Sequence, residues 1–294
     1  MNLPFGKKNN SQVVDLASFK NRDAAIGKLL LDAGKLKQAD LERVLKLQHE
    51  QDIRFGEAAV KLGLVSEADI QHALSYQFEY PYSSDAREGL SPELVAAAAP
   101  NGKKAETLRS VRSQLLLRWF HGGHKTLAIG SARKKEGASC LAANLAVLFA
   151  QLGKKTLLID ADMRQPRQHQ IFNLGNSKGL SDILAGRTET VTPCLIKSFP
   201  TLSVLSSGSP PPNPAELLVR PAFGALLNSL ESSYDVILID TSPFPYVSDF
   251  QAVAAKTGGV LIAARRNVSQ LPTLTEFKEK IVRTKAQVIG VVLD

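Results

Sequence analysis

The chain has 294 residues, a length that suggests two domains of the usual ~100–200 residues each. Hydrophobic residues make up 44% and charged residues 22% of the sequence, an ordinary globular balance that argues against global disorder. The net charge of +8 suits contact with a nucleotide or a membrane surface, or simply a solvated basic face, but no nucleic-acid-reading motif with interleaved aromatic residues accompanies it, so nucleic acid is not an expected partner.

The N-terminal segment, the cysteines and the apolar runs indicate the cellular compartment. Residues 1–21 are basic and polar, without the apolar core of a signal peptide, and we predict a flexible tail there. Two cysteines, Cys140 and Cys194, are too few for a disulfide framework and fit a reducing cytoplasm. No apolar run approaches the ~20 residues that span a bilayer, so we expect a soluble, cytoplasmic protein.

Residues 22–80 contain an internal repeat with an offset of 29 positions, in which AIGKLLLDAGKLKQADLERVLKLQ (25–48) matches RFGEAAVKLGLVSEADIQHALSYQ (54–77). In each copy apolar residues recur at helical spacing, a glycine ends the first helix and an Asp-containing turn starts the second. Neither hairpin could bury its apolar face alone, so we predict one small helical domain. Residues 81–105 are predicted to be a linker with one short helix, capped by Ser91 and starting at Pro92.

The spacing of the two copies resembles the N-terminal domain of type II secretion and pilus-assembly ATPases. Some members of that family bind cyclic di-GMP through arginines at the starts of the motifs and through backbone glycines. The resemblance implies these candidate contacts: Arg22, Gly27, Gly34, Arg54, Gly56 and Gly63. Arginine suits the role because its planar guanidinium grips phosphate and stacks on guanine. A docking domain without a ligand is the alternative, because only the second copy keeps its arginine in place.

From Lys125 onward, apolar strand-like runs alternate with helical ones, among them TLAIG, TLLID, LSVLSSG, VILID, GVLIAA and QVIGVVL. Near-continuous apolar strands separated by amphipathic helices indicate an α/β fold with a parallel sheet covered on both faces. Ligands of such folds bind beyond the carboxyl ends of the strands. Three motifs fall at those ends.

The first motif follows the strand TLAIG, where a phosphate-cradling loop of the form G-x-x-x-x-G-K-S/T is expected. Gly137 and Ser139 of this pattern are present, and Ser139 is a candidate Mg²⁺ ligand. Ala138 stands where the pattern has the lysine that reaches the β- and γ-phosphates, so we expect weak nucleotide binding unless Lys134 or Lys135 supplies the charge. The candidate nucleotide-binding residues are Lys134, Lys135, Glu136, Gly137, Ala138, Ser139, Cys140 and Arg164.

The other two motifs place carboxylates at strand ends. In TLLIDADMRQP, Asp160 and Asp162 lie two residues apart and so point the same way. In VILIDTSP, Asp240 closes an apolar strand. Carboxylates so placed activate an attacking hydroxyl or hold Mg²⁺, which makes Asp160 and Asp162 candidate catalytic residues and Asp162, Asp240 and Ser139 candidate metal ligands. One such Asp could be a mere helix cap, but the order of the three motifs favours function.

Together these motifs resemble the bacterial tyrosine-kinase family, whose members carry a Walker A loop, an A-prime strand ending in Asp-x-Asp and a Walker B strand. The resemblance covers residues 106–294 almost without gaps and includes GLSDIL (179–184) and PPNPAELL (211–218). Glu106, Arg109 and Arg112 match the E-x-x-R-x-x-R helix through which that family forms rings, which implies a homo-oligomer. An ordinary solvated stripe is the alternative for these three charges.

The resemblance implies a P-loop domain that uses Mg²⁺ with ATP or ADP. It also implies a role in exopolysaccharide polymerisation, export and chain length, with docking on the cytoplasmic tail of a membrane chain-length determinant. Two interpretations of the chemistry stay open: an active tyrosine kinase with Asp160 as general base, and a catalytically impaired nucleotide-binding regulator. The last tyrosine is Tyr246, so the phosphorylated tyrosine tail of many family kinases is not expected here.

Overall fold

In a computed structural model of the protein, the described residues are 26–27, 29–31, 34–67, 69–70, 73, 89–175, 178–188 and 192–294. The chain divides into two units, Met1–Tyr82 and Ser83–Asp294. The predicted tail (1–21) and Arg22 lie outside the described residues, and the predicted domain boundaries stay predictions.

The first unit is helical where it is described. Helix α1 spans Gln38–Gln51 and helix α2 spans Phe55–Lys61. The repeat is visible in its core, because buried residues come in pairs that are 29 positions apart, namely Ile26 with Phe55, Leu30 with Ala59, Leu36 with Val65, and Val44 with Ala73. Turn hydrogen bonds repeat with the same offset: the Gly34 N–H donates to the Leu31 carbonyl, and the Gly63 N–H donates to the Val60 carbonyl, both at 2.9 Å. Each copy therefore supplies an equivalent part of one core.

The second unit contains a seven-stranded sheet in its described residues, with the strand order β3-β4-β2-β5-β1-β6-β7. The strands are β1 (Thr126–Ser131), β2 (Thr156–Asp160), β3 (Cys194–Leu195), β4 (Leu202–Leu205), β5 (Val236–Asp240), β6 (Gly259–Ala264) and β7 (Gln287–Leu293). Every neighbouring pair is parallel except β3 with β4. The central strands are buried from end to end, as continuous apolar runs require. The predicted parallel α/β sheet is confirmed.

Helices cover both faces of this sheet. They are α3 (Val95–Ala98), α4 (Lys103–Arg118), α5 (Ala138–Gln151), α6 (Gln168–Ile171), α7 (Leu180–Leu184), α8 (Pro214–Val219), α9 (Pro221–Glu231), α10 (Val247–Thr257) and α11 (Leu271–Arg283), with 3₁₀ turns at Phe120–Gly122 and Phe244–Tyr246. One core is centred on the almost wholly buried α5, and the other includes Phe250 of α10 and Phe277 of α11. Within the described residues, no helix is both long and apolar enough to cross a membrane.

The segment predicted to be a linker contributes to the core on the α5 side. Leu94 and Ala96 are fully buried there. The helix in this segment begins at Val95 rather than at Pro92, and the Ser91 hydroxyl accepts the N–H of Glu93 over 3.2 Å. The start of the helix was therefore predicted three residues too early, because the Ser-Pro pair forms a turn before the helix instead of its first residues.

Candidate functional site

The loop between β1 and α5 borders a cavity of about 390 Å³ at the carboxyl edge of the sheet. Seven of its lining residues belong to the predicted phosphate loop: Lys134, Lys135, Glu136, Gly137, Ala138, Ser139 and Cys140. The other lining residues are Ser131, Asp162, Gln165, Arg167, Thr241 and Pro243. Gly137 adopts a left-handed conformation with φ 88° immediately before α5. The first N–H groups of α5 have no carbonyl partner within the helix and can bind an anion.

Glu136 fixes the shape of this loop. Its carboxylate is buried and accepts the backbone N–H of Arg133 over 2.8 Å and the hydroxyl of Ser269 over 2.5 Å. The Ser131 hydroxyl donates to the Arg133 carbonyl over 2.8 Å. The loop is therefore tied to itself and to the segment after β6. Glu136 borders the cavity, but its two carboxylate oxygens bind protein groups.

Asp160 and Asp240 end the adjacent strands β2 and β5, directly opposite each other in the register. One oxygen of Asp160 accepts the backbone N–H groups of Arg167 and Gln168 at 3.0 and 2.9 Å. One oxygen of Asp240 accepts the side-chain amide of Gln168 at 2.8 Å, and that amide also donates to the Ser139 carbonyl at 3.1 Å. The second oxygen of each carboxylate is buried and has no hydrogen-bond partner within the described part of the chain.

Burial governs the ionisation of this pair. It raises the pKa of Asp160 well above the ordinary value, and the charge of Asp240 raises it further. It also raises the pKa of Asp240 to about 7, against a hydrogen bond from Gln168 that lowers it. The pair is thus short of favourable charge, and a nearby cation would stabilise both ionised carboxylates. These features fit a bound Mg²⁺.

The small number of side chains available as metal ligands fits Mg²⁺ rather than a metal that is held wholly by protein. No cluster of three or more His, Cys, Asp or Glu side chains that could hold a metal occurs in the described ranges. Mg²⁺ commonly uses one or two carboxylates, with water and phosphate oxygens completing its octahedron. Asp162 and Ser139 border the cavity, whereas Asp160 and Asp240 are fully buried and do not.

Of the predicted site residues Asp162 and Arg164, the structure places only Asp162 at the cavity. The Asp162 carboxylate accepts the N–H groups of Arg164 and Gln165 and the hydroxyl of Ser242, at 3.2, 3.1 and 2.9 Å. The Arg164 guanidinium instead makes a two-pronged contact with the buried Asp249, at 2.6 and 3.1 Å. Arg164 is not among the residues that line the cavity. Its partner comes from α10, a distant part of the sequence.

Several residues that sequence reasoning missed take part in the site. Arg167 and Gln165 line the cavity, and Gln168 bridges the phosphate loop to Asp240. Thr241 lines it too and donates its hydroxyl to the Ile129 carbonyl at 2.8 Å. All four lie within eight residues after the strand-ending Asp160 or Asp240. That position is the signal that could have identified them, since ligands of such sheets bind beyond the strand ends.

The three charges of the predicted oligomerisation helix do not share one exposed face. In α4 the Arg109 guanidinium donates to the Glu106 carboxylate at 2.8 Å and to the Pro100 carbonyl at 2.5 Å. Arg112 is buried and donates to the Leu148 carbonyl at 3.1 Å. The alternative of an ordinary solvated stripe is therefore wrong for Arg112, because α5 packs against that side of the helix, and oligomerisation through this helix stays a prediction.

The repeated glycines of the first unit have packing or backbone roles. A Cβ atom at Gly27 would lie 3.1 Å from Leu41, and one at Gly56 would lie 3.0 Å from the equivalent Ile70. Gly34 and Gly63 both adopt φ +66°, where a side chain is strained. The Arg54 backbone N–H donates to the Glu57 carboxylate at the start of α2, over 3.4 Å. These contacts account for the glycines without a ligand.

Comparison with known proteins gives one consistent result. The model of the AAA domain family matches residues 124–288, more than half of the chain. The tyrosine-protein kinase YwqD of Bacillus subtilis is 33% identical over 201 residues, which cover 68% of this chain and 85% of YwqD. The tyrosine-protein kinase Wzc of Salmonella typhi is 33% identical over 202 residues, but these cover 28% of Wzc. The kinase domain of the Escherichia coli tyrosine kinase ETK has a TM-score of 0.66 at 30% identity, covering 71% of this chain and 81% of that one.

Replacing Asp240 with asparagine tests the buried carboxylate pair. The folded chain keeps a proton on Asp240 up to about pH 7, whereas the unfolded chain releases it near 3.8, so stability is lost as the pH rises through this window. Each pH unit is worth up to about 1.4 kcal/mol. Without Mg²⁺ or nucleotide, we expect the melting temperature to fall more steeply with pH in the wild type than in Asp240→Asn. A control at the exposed Glu276, Glu276→Gln, should keep the wild-type slope. Equal slopes in wild type and Asp240→Asn would contradict the assignment.

Proposed function

The chain belongs to the bacterial tyrosine-kinase family, and we propose that its cavity binds Mg·ATP and Mg·ADP. The observation that carries this proposal is the phosphate loop around a cavity of about 390 Å³ that meets the first turn of α5. That volume lies within the ~300–1,000 Å³ usual for small-molecule sites. Ser139 and Asp162 border the cavity. With Asp240 behind them, they supply the oxygen ligands that Mg²⁺ prefers.

Within this family we favour the nucleotide-binding regulator over the active kinase. Asp160, the predicted general base, is fully buried, does not line the cavity and binds two backbone N–H groups. A general base must come within hydrogen-bond reach of the proton it takes. At Ala138 no side chain reaches the transferring phosphoryl group, and the loss of one such preorganised group costs about 10²–10³ in rate. Both features support slow or absent phosphotransfer.

The biological role that we propose is regulation of exopolysaccharide polymerisation, export and chain length. The support is family membership alone. The chain would dock on the cytoplasmic tail of a membrane chain-length determinant, which would place it at the membrane periphery. Self-association would use the exposed Glu106 and its partner Arg109, which can exchange this pairing for one with a second copy, whereas Arg112 is committed to its own chain. Such exposed ion pairs are individually weak but add up around a closed ring.

Restoring a lysine at position 138 tests nucleotide binding. We expect calorimetry to show weak binding of Mg·ADP by the wild type and about tenfold tighter binding by Ala138→Lys, since a charged phosphate contact is worth ~1.5–3 kcal/mol. Asn228→Lys adds the same charge to the exposed face of α9 and should leave the affinity unchanged. An unchanged affinity in Ala138→Lys would mean that another cation already fills the role. No binding by either protein at millimolar nucleotide would refute the proposal.

Addition of the partner's tail distinguishes a regulator that turns over ATP from one that only binds it. We expect ATP turnover to be very low for the chain alone and to rise with the tail, because a tail residue can complete the pocket from outside as an arginine finger does. Asp240→Ala sets the background.

We also expect the tail to promote assembly, measured by light scattering, and Arg109→Ala to weaken it. A tail that binds without raising turnover above the Asp240→Ala level would leave a regulator without catalysis, and a monomer under all conditions would exclude the ring.

For the first unit we propose a docking domain that does not bind cyclic di-GMP. The repeated glycines are explained by the approach of Leu41 and Ile70 and by left-handed turns. We expect no heat on titration of the full chain with cyclic di-GMP, and no difference between the wild type and Arg54→Ala. Saturable binding that Arg54→Ala abolishes would overturn this proposal in favour of the nucleotide sensor.

A further inference from the structure

We propose that Arg167 supplies part of the phosphate-binding charge that Ala138 lacks, and that Glu93 is a built-in carboxylate that competes with the nucleotide for it. This inference rests on the proposed nucleotide site. Arg167 lines the cavity, and its guanidinium lies 3.9 Å from the Cys140 sulfur in the first turn of α5. The Asp160 carboxylate holds the Arg167 backbone N–H at 3.0 Å. The sheet itself therefore positions this guanidinium beside the loop.

The chemistry favours Arg167 among the cationic side chains that line the described cavity, which are Lys134, Lys135 and Arg167. A guanidinium presents a planar fork that binds two phosphate oxygens at once, whereas an ammonium acts as a point charge. The Lys134 ammonium lies 5.0 Å from the centre of the Tyr246 ring, in a cation–π contact.

Glu93 already occupies one nitrogen of the Arg167 guanidinium. Its two oxygens accept the same guanidinium nitrogen at 3.1 and 2.9 Å, and one of them accepts the Cys140 thiol at 3.0 Å. Both side chains are about 40% exposed, at 42% for Arg167 and 41% for Glu93. An ion pair with this exposure is worth little. A nucleotide phosphate, with more charge and with the α5 N–H groups beside it, can therefore displace the carboxylate.

The backbone that carries Glu93 is fixed, so displacement involves side chains alone. Leu94 is fully buried in the core. The Asn144 side chain of α5 donates to the Glu93 carbonyl and accepts the Ala96 N–H, both at 2.9 Å. Glu93 accordingly remains close to Arg167 after it releases the guanidinium, and it continues to compete with the phosphate for that side chain. This makes Glu93 a residue that lowers nucleotide affinity.

Binding of Mg·ADP to the full-length chain, measured by calorimetry, tests the pair. We expect Arg167→Ala to bind about tenfold or more weakly, or about 1.4 kcal/mol. We expect Glu93→Gln to bind severalfold more tightly, because the isosteric amide keeps the shape and removes the competing charge. The double variant should match Arg167→Ala, since Glu93 acts through Arg167. Arg187→Ala removes another exposed, ion-paired arginine and should bind as the wild type does.

The outcomes separate this inference from the proposed function. If the wild type binds Mg·ADP and Arg167→Ala binds equally well, the role of Arg167 is refuted and the nucleotide site stands. If Glu93→Gln binds no more tightly than the wild type, Glu93 is not a competitor. If neither the wild type nor Glu93→Gln binds at millimolar nucleotide, both proposals fall. Should Arg167→Ala not fold, Arg167→Lys replaces it: weaker binding is expected, and wild-type affinity would refute the need for a guanidinium.

Discussion

The meeting of Asp160 and Asp240 at the ends of two neighbouring parallel strands is the constraint on which the site depends. The β2–β5 register sets the two carboxylates opposite each other below the cavity, and neither is exposed to water. Buried carboxylates require hydrogen bonds, and these come from Gln168 and from the backbone at the start of α6. The same bonds fix Arg167 beside the phosphate loop and tie that loop to β5 through Gln168. The hydrogen bonds that the two buried carboxylates require thus determine which residues line the cavity.

The sequence was sufficient to predict the sheet and its converging motifs, because buried parallel strands appear as continuous apolar runs and their carboxyl ends share one edge. How deeply each carboxylate is buried at that edge was not predictable. Asp160 and Asp162 belong to the same motif, yet only Asp162 reaches the cavity. Partners that are distant in sequence were not predictable either: Arg164 pairs with Asp249, 85 positions away, and Arg112 with a carbonyl of α5. A local pattern shows that an arginine is present, but tertiary packing decides what it binds.

The phosphate loop keeps its form without the usual lysine because its shape depends on other groups. The buried Glu136 carboxylate ties the loop to Ser269, and Gly137 makes the turn into α5. Lys135 adopts a left-handed conformation with φ 66°, which costs a non-glycine residue about 1 kcal/mol or more. A cationic side chain is thus held at a position where glycine would be easier, on the rim of the cavity. Lys135 thus adds positive charge at the flank of the loop, on the same cavity that Arg167 lines.

Displacement of Glu93 by nucleotide has a thermodynamic consequence for the segment that precedes the P-loop. Coupling between two binding events is reciprocal. If nucleotide binding weakens the Glu93–Arg167 contact by some factor, formation of that contact weakens nucleotide binding by the same factor. Glu93 lies in a segment that Leu94 and Asn144 fasten to α5, the helix whose first turn meets the phosphates. The first unit is joined covalently to this segment. A change that strengthens the Glu93–Arg167 contact therefore lowers the affinity for nucleotide through side chains alone, with no rearrangement of the sheet required.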